Sequence, residues 1–122
     1  MIIKTANQSG KHAEEIAATY LANQGITILD KNFRCRFGEI DLIGLDKQCL
    51  VFIEVRYRKN EKHMAVIETI DKHKCRKLVI TSEYYLNKHP IYRKSACRYD
   101  FIGITGELEM PGIEWIKNAF QA

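Results

Sequence analysis

Twenty-one consecutive residues, Gly38 to Arg58 (GEIDLIGLDKQCLVFIEVRYR), restrict how this chain can fold more than any other stretch. Two arms rich in Ile, Leu, Val and Phe flank Asp46-Lys47-Gln48, a segment of turn character, and that pattern is a β-hairpin. A two-residue loop at Lys47-Gln48 pairs Asp46 with Cys49. Counting back, Gly44 faces Val51, Leu42 faces Ile53, Asp41 faces Glu54, Ile40 faces Val55 and Glu39 faces Arg56. Side chains alternate along a strand, and directly opposed residues share a face. Ile40, Leu42, Val51, Ile53 and Val55 are thus expected on one apolar face, with Glu39, Asp41, Glu54 and Arg56 on the other.

The acidic face is the anomaly. Asp41 and Glu54 come out with Cβ atoms roughly 5 Å apart, and directly opposed like charges destabilise a sheet. Asp and Glu are in any case depleted in strands. Two readings account for the pair. A hard, oxygen-preferring cation, Mg2+ or Mn2+, would offset the repulsion between the carboxylates. Alternatively, the acids lie on a solvated sheet edge, neutralised by Arg56 and nearby lysines. A one-residue slip would send the two acids to opposite faces, so both readings rest on the apolar face holding the register.

GEIDLI, a short turn and VFIEVRYR resemble the active-site hairpin of the YraN-like family of uncharacterised bacterial proteins. That family is similar to the PD-(D/E)XK, restriction-endonuclease-like nucleases, and above all to archaeal Holliday-junction resolvases. The resemblance implies a metal-dependent nuclease with Mg2+ or Mn2+ as cofactor. Its partner would be nucleic acid, DNA rather than RNA, with branched or structured DNA a candidate substrate. Position by position, Asp41 matches the motif aspartate and Glu54 the motif glutamate, and the backbone carbonyl of Val55 joins them as an implied metal ligand. Arg56 stands where the superfamily usually has Lys.

The resemblance extends beyond the hairpin. SGKHAEEIAATYL matches the family's G-x-x-G-E-x-x-A-A-x-Y-L, with Ala13 in place of the second glycine. This makes Glu14 the implied helix glutamate that approaches the metal; on its residues alone it also reads as a helix-start acid favoured by the dipole. Arg98-Tyr99-Asp100-Phe101-Ile102 resembles the family's R-F-D-V-V, with Asp100 in a structural or substrate-side role. Arg56 changes what such a site can do. Arginine stays protonated, so it cannot act as general base, but it can hold a phosphate or stabilise developing charge. Glu39 is the candidate for holding Arg56. The departure keeps a second reading open, a nucleic-acid-binding module without turnover, and a third is a scaffold with an incidental acidic pair.

At 122 residues the chain is sized for one domain, residues 1–122. Lys and Arg outnumber Asp and Glu by 19 to 15, which permits a polyanionic partner without demanding one. The cysteines, Cys35, Cys49, Cys75 and Cys97, lack the paired spacing of a zinc site and read as reduced thiols. No apolar block opens the chain and no apolar run would span a bilayer, so a cytoplasmic protein without a membrane partner is expected.

After a lead over Met1–Gln8, a helix is expected from a Ser9 cap to about Gln24, stopped by Gly25. A strand comes next over Ile26–Cys35, interrupted near Asp30–Asn32; after the hairpin there is a polar loop over Lys59–His63. Asp71 caps a second helix reaching about Asn87, and further strands lie at Arg98–Ile104 and Ile113–Ile116. Lys72, Lys74, Arg76 and Lys77 crowd the start of that helix, where the dipole disfavours cations; an anion such as a phosphodiester would relieve this. Lys74 is the best match to a lysine typical of the YraN-like family. With Arg34, Arg36, Arg58 and Lys59, Lys72 and Lys74 are the candidate nucleic-acid contacts; solvated surface is the alternative for the arginines of the first strand. The order α-β-β-β-α-β-β predicts an α/β, restriction-endonuclease-like domain with a central mixed sheet flanked by helices. A homodimer would fit a resolvase-like task.

Overall fold

In the computed structural model, which describes residues 6–60 and 66–122, the hairpin supplies two interior strands of a five-stranded sheet. Helix α1 (Ala6–Asn23) leads into β1 (Thr27–Cys35), β2 (Gly38–Asp46) and β3 (Cys49–Arg58). Helix α2 (Lys72–Lys88) then precedes β4 (Cys97–Thr105) and β5 (Gly112–Phe120), with short 3-10 turns at Val66–Thr69 and Pro90–Tyr92. The strands lie in chain order, all antiparallel except the β3–β4 pair. A parallel pair needs a connection that crosses a sheet face, and α2 supplies it. The fold is α/β, a mixed sheet flanked by two helices in the order α-β-β-β-α-β-β.

Alternation along β3 divides the core in two. Val51 and Ile53 pack under α1 with Ala13, Ala17, Leu21 and Leu42. Leu50 and Phe52 point the other way, toward Leu78 and Tyr85 of α2 together with Ile43 and Phe101. A strand covered on both sides must be apolar at consecutive positions, hence the unbroken run Leu50–Ile53. No helix among the described residues is long and apolar enough to cross a membrane.

The ends of the helices obey local chemistry. Gly25, at φ +97°, ends α1, and the Ile26 N–H closes on the Leu21 carbonyl at 3.0 Å. Asp71 caps α2, accepting the Lys74 N–H at 2.8 Å. At its start, α1 departs from expectation: it begins at Ala6, so Ser9 lies inside the helix rather than capping it. The preceding Ala6 and Gln8 are ordinary helix formers and extend the turn backwards. Residues 1–5 of the expected lead and 61–63 of the polar loop lie outside the described residues. β5 also runs longer than expected; Asn118, at φ +53°, takes an irregular step that lets Phe120 pair with Tyr99.

The hairpin register is the expected one from Asp46↔Cys49 to Leu42↔Ile53, and there the pairing ends. Asp41 and Glu54, Ile40 and Val55, and Glu39 and Arg56 are therefore not ladder partners. Ile40 leaves the face of Leu42 and packs in the α2-side cluster. The change of face falls beside an irregularity on β1, whose ladder pairs Lys31 with Leu42 and Phe33 with Ile40, with Asn32 left-handed at φ +54° between those pairs.

At Gly44 the entry to β1 closely approaches the hairpin. A Cβ there would lie 2.6 Å from Ile26 Cγ2 and 3.0 Å from the Thr27 carbonyl oxygen. Gly44→Ala is expected to lower the unfolding free energy by about 1–3 kcal/mol, read from urea denaturation. A loss under about 0.5 kcal/mol would mean that β1 yields freely at this point.

Candidate functional site

Where the β2–β3 ladder stops, a side chain replaces the backbone. The Asp41 carboxylate accepts the Val55 N–H through Oδ2 at 2.8 Å, so the strands separate without orphaning that donor. This draws the acid inside: Asp41 is only 7% exposed. Burial, then the neighbouring Glu54 charge, raises its pKa to about 9; the Val55 N–H opposes the rise and Glu14 adds to it.

Three elements bring the other acids to this place. Glu14 reaches it from α1 and Glu39 from the start of β2, and the carboxylate oxygens of Glu14, Glu39 and Asp41 lie within 4.8 Å of one another. Glu14 is half-buried, and that burial raises its pKa; a hydrogen bond from the Asn32 side chain opposes the shift, and Glu39 adds to it. Glu54 of β3, 6% exposed, has a different environment. Lys74 Nζ lies 3.2 Å and Arg56 Nε 3.6 Å from its Oε2. The second distance is too long for a hydrogen bond, and Arg56 Nε is buried without a hydrogen-bond partner. The Arg56 guanidinium rests 5.8 Å from the Phe101 ring. One buried acid is thus flanked by two cations, while the other is held by a backbone donor among further acids.

Most of the chemistry-bearing residues singled out in the sequence meet here. Glu14, Asp41, Glu54, Arg56 and Lys74 converge at this end of the sheet, and Val55 enters through its N–H. Glu39 converges too, but does not hold Arg56. It is opposite Arg34 in the β1–β2 ladder, and Arg34 Nε lies 2.6 Å from its Oε2. The ladder to β3 has ended by then, so nothing places Glu39 across from Arg56. Arg36, Arg58, Lys59 and Lys72 are exposed. Asp100 is fully buried and saturated: Arg98, the Trp115 indole N–H at 3.0 Å and the Asn118 N–H at 2.8 Å all donate to it. Those contacts tie β4 to β5 across the irregular step. The interruption expected near Asp30–Asn32 is present, with Asn32 left-handed at φ +54°, a backbone that Asn tolerates better than most residues; its side-chain hydrogen bond to Glu14 was not anticipated.

The model of the uncharacterised protein family UPF0102 matches residues 13–104, a span that contains every acid and base of this cluster. The chain is 45% identical over 112 residues to a UPF0102 protein of Coxiella burnetii (strain RSA 331 / Henzerling II), covering 92% of this chain and 91% of that protein. To a UPF0102 protein of Psychromonas ingrahamii it is 42% identical over 120 residues, with 98% and 95% covered. To one of Alcanivorax borkumensis it is 38% identical over 120 residues, with 98% and 96% covered.

Asp41 imposes a pH dependence. The unfolded carboxyl has an ordinary value near 3.8 and the folded one about 9, so between them the native state binds the extra proton. Its contribution is complete below about pH 4 and is lost as pH rises through about 9. Asp41→Asn keeps an acceptor for Val55 and removes the charge. In EDTA at pH 9 it is expected to raise stability by about 1–3 kcal/mol and to flatten the pH slope, read from urea denaturation at pH 6 and 9. Lower stability of the variant at pH 9 would show the carboxylate to be well compensated in the native state.

Proposed function

The chain belongs to the uncharacterised protein family UPF0102, the YraN-like family its hairpin resembles, and from that premise we propose a divalent-metal-dependent nuclease. It hydrolyses phosphodiester bonds of DNA, with branched or structured DNA among its substrates. The observation that carries this reading is Asp41, a buried acid whose oxygens lie within 4.8 Å of those of Glu14 and Glu39. No cationic side chain is paired with it among the described residues.

The donor set is all oxygen and carboxylate-rich, which suits a hard cation of the Mg2+ or Mn2+ kind. Asp41, Glu54, the Val55 carbonyl and Glu14 would hold the ion, with Glu39 close enough to join them. Such an ion, when bound, lowers the pKa of its water and neutralises charge on the phosphate. Arg56 orients the phosphate; its Nε is a buried donor left over for an anion. It takes no proton at working pH, so its part is electrostatic. Lys74, paired with Glu54 at 3.2 Å, supplies a second cation beside the phosphate. Arg34, Arg36, Arg58, Lys59 and Lys72 track the DNA strand through its backbone charge. The protein would act in the cytoplasm, and a homodimer would present two such sites to a four-way junction.

A second reading, nucleic-acid binding without turnover, is favoured by Arg56 at the usual lysine position. One experiment separates the two: cleavage of a labelled panel (duplex, single strand, flap, four-way junction, RNA) with Mg2+, Mn2+ or EDTA. Metal-dependent cutting of a DNA member is expected, reduced about a hundredfold or more in separately purified Glu54→Gln and Asp41→Asn. Cutting that survives in Glu54→Gln would sink the site assignment. Retention of DNA without cutting would put the binding module first.

A further inference from the structure

We propose that the tip of the β1–β2 hairpin is a stacking platform for an unpaired base of a single-stranded DNA segment lying against the acidic end of the sheet. The proposal deepens the nuclease reading and rests on it, because it names the feature of the substrate that the site selects.

The tip is the two-residue turn Arg36-Phe37, closed by the Cys35↔Gly38 pair. Phe37 is 40% exposed, the one aromatic among the exposed large apolar side chains of the described residues. It is not a loose ring. Its centroid lies 6.1 Å from that of Tyr84, Tyr84 lies 6.3 Å from Phe33, and Phe33 meets buried Tyr85 edge-on at 5.0 Å. Gly38 keeps the tip pressed on α2, since a Cβ there would come 3.0 Å from Thr81 Oγ1. The exposed ring is therefore the outer end of an aromatic row rooted in the core, with its orientation set in advance.

An exposed ring can simply finish the edge of a core. The flanking charges suggest more. Arg36 lies 4.9 Å from the centre of Phe37 and Lys88 Nζ lies 5.0 Å from the centre of Tyr84. Aromatic faces interleaved with cations suit a strand that stacks its bases and neutralises its phosphates. Position supports the same occupant. Phe37 precedes Glu39 of the acidic cluster by two residues, a backbone separation of roughly 7 Å at about 3.3 Å per residue, so the α2-side ring and the acids belong to one end of the sheet. A strand with a phosphate at the acids would have a neighbouring base beside this ring. Bases within a continuous duplex are already stacked on one another, so the platform selects DNA with unpaired nucleotides near the phosphate at the acids.

The test is fluorescence anisotropy with the full chain in EDTA, using a labelled twelve-nucleotide dT strand and a labelled duplex of matching length. Phe37→Leu keeps apolar bulk but lacks a π-face, and Phe37→Trp keeps one. Phe37→Leu is expected to weaken single-strand binding about tenfold or more and duplex binding less than about twofold, with Phe37→Trp close to wild type. Equal losses on both DNAs, no loss on either, or no single-strand binding by the wild type would each overturn the proposal. The cleavage panel reports separately: Phe37-dependent binding without cutting supports the platform while the nuclease reading falls. Metal-dependent cutting with Phe37→Leu indistinguishable from wild type in binding does the reverse.

Discussion

The 2.8 Å hydrogen bond from the Val55 N–H to the Asp41 carboxylate is the contact on which the acidic end depends. In a continuing ladder that N–H would meet a backbone carbonyl of β2. Here a side chain takes the place of the backbone, so β2 and β3 separate after Leu42↔Ile53 without a buried donor left unpaired. Beyond the separation Glu39 stays paired with Arg34 of β1, and Ile40 lies in the α2-side core. The same bond holds Asp41 inside, where desolvation acts on it most strongly.

Charge is thereby divided unequally between two neighbouring acids. Lys74 and Arg56 lie against Glu54, while Asp41 has Glu14 and Glu39 for neighbours. Hydrophobic burial elsewhere carries the cost of this arrangement: both faces of β3 are covered, with Val51, Phe52 and Ile53 fully buried. The surrounding core is packed well enough to hold this local conflict of charges in place. Asp100 makes a useful contrast. It is fully buried too, yet Arg98, Trp115 and Asn118 meet its charge with hydrogen bonds, as expected of a structural acid.

Topology brings these groups together. β2 and β3 are antiparallel, so the first residues of one lie beside the last residues of the other. The α2 crossover to parallel β4 starts where β3 finishes, which puts the first turn of α2, with Lys74, beside Glu54. The β1–β2 turn, with Arg36 and Phe37, belongs to the same end because β2 begins there. Acids from one helix and two strands, a lysine from the second helix and an exposed ring thus occur at one end of the sheet through the order and direction of the elements.

Local rules were enough for the parts of this protein that are local. The Lys47-Gln48 turn and period-two alternation determine the hairpin register from Asp46↔Cys49 to Leu42↔Ile53; Asp71 and Gly25 mark helix ends by their own chemistry. The acidic anomaly was visible in the same way, as Asp41 and Glu54 written into apolar strands. The end of the ladder was not visible, because there the Asp41 side chain takes the Val55 N–H in place of a backbone carbonyl, which alternation along two regular strands does not foretell. Nor was the partner of Glu39, which proved to be Arg34 across β1, or the approach of Lys74 to Glu54 across twenty residues of chain. Periodicity says which way a side chain points only while the backbone stays regular. Where it ceases to be regular, contacts between distant segments decide, and those exist only in the folded molecule.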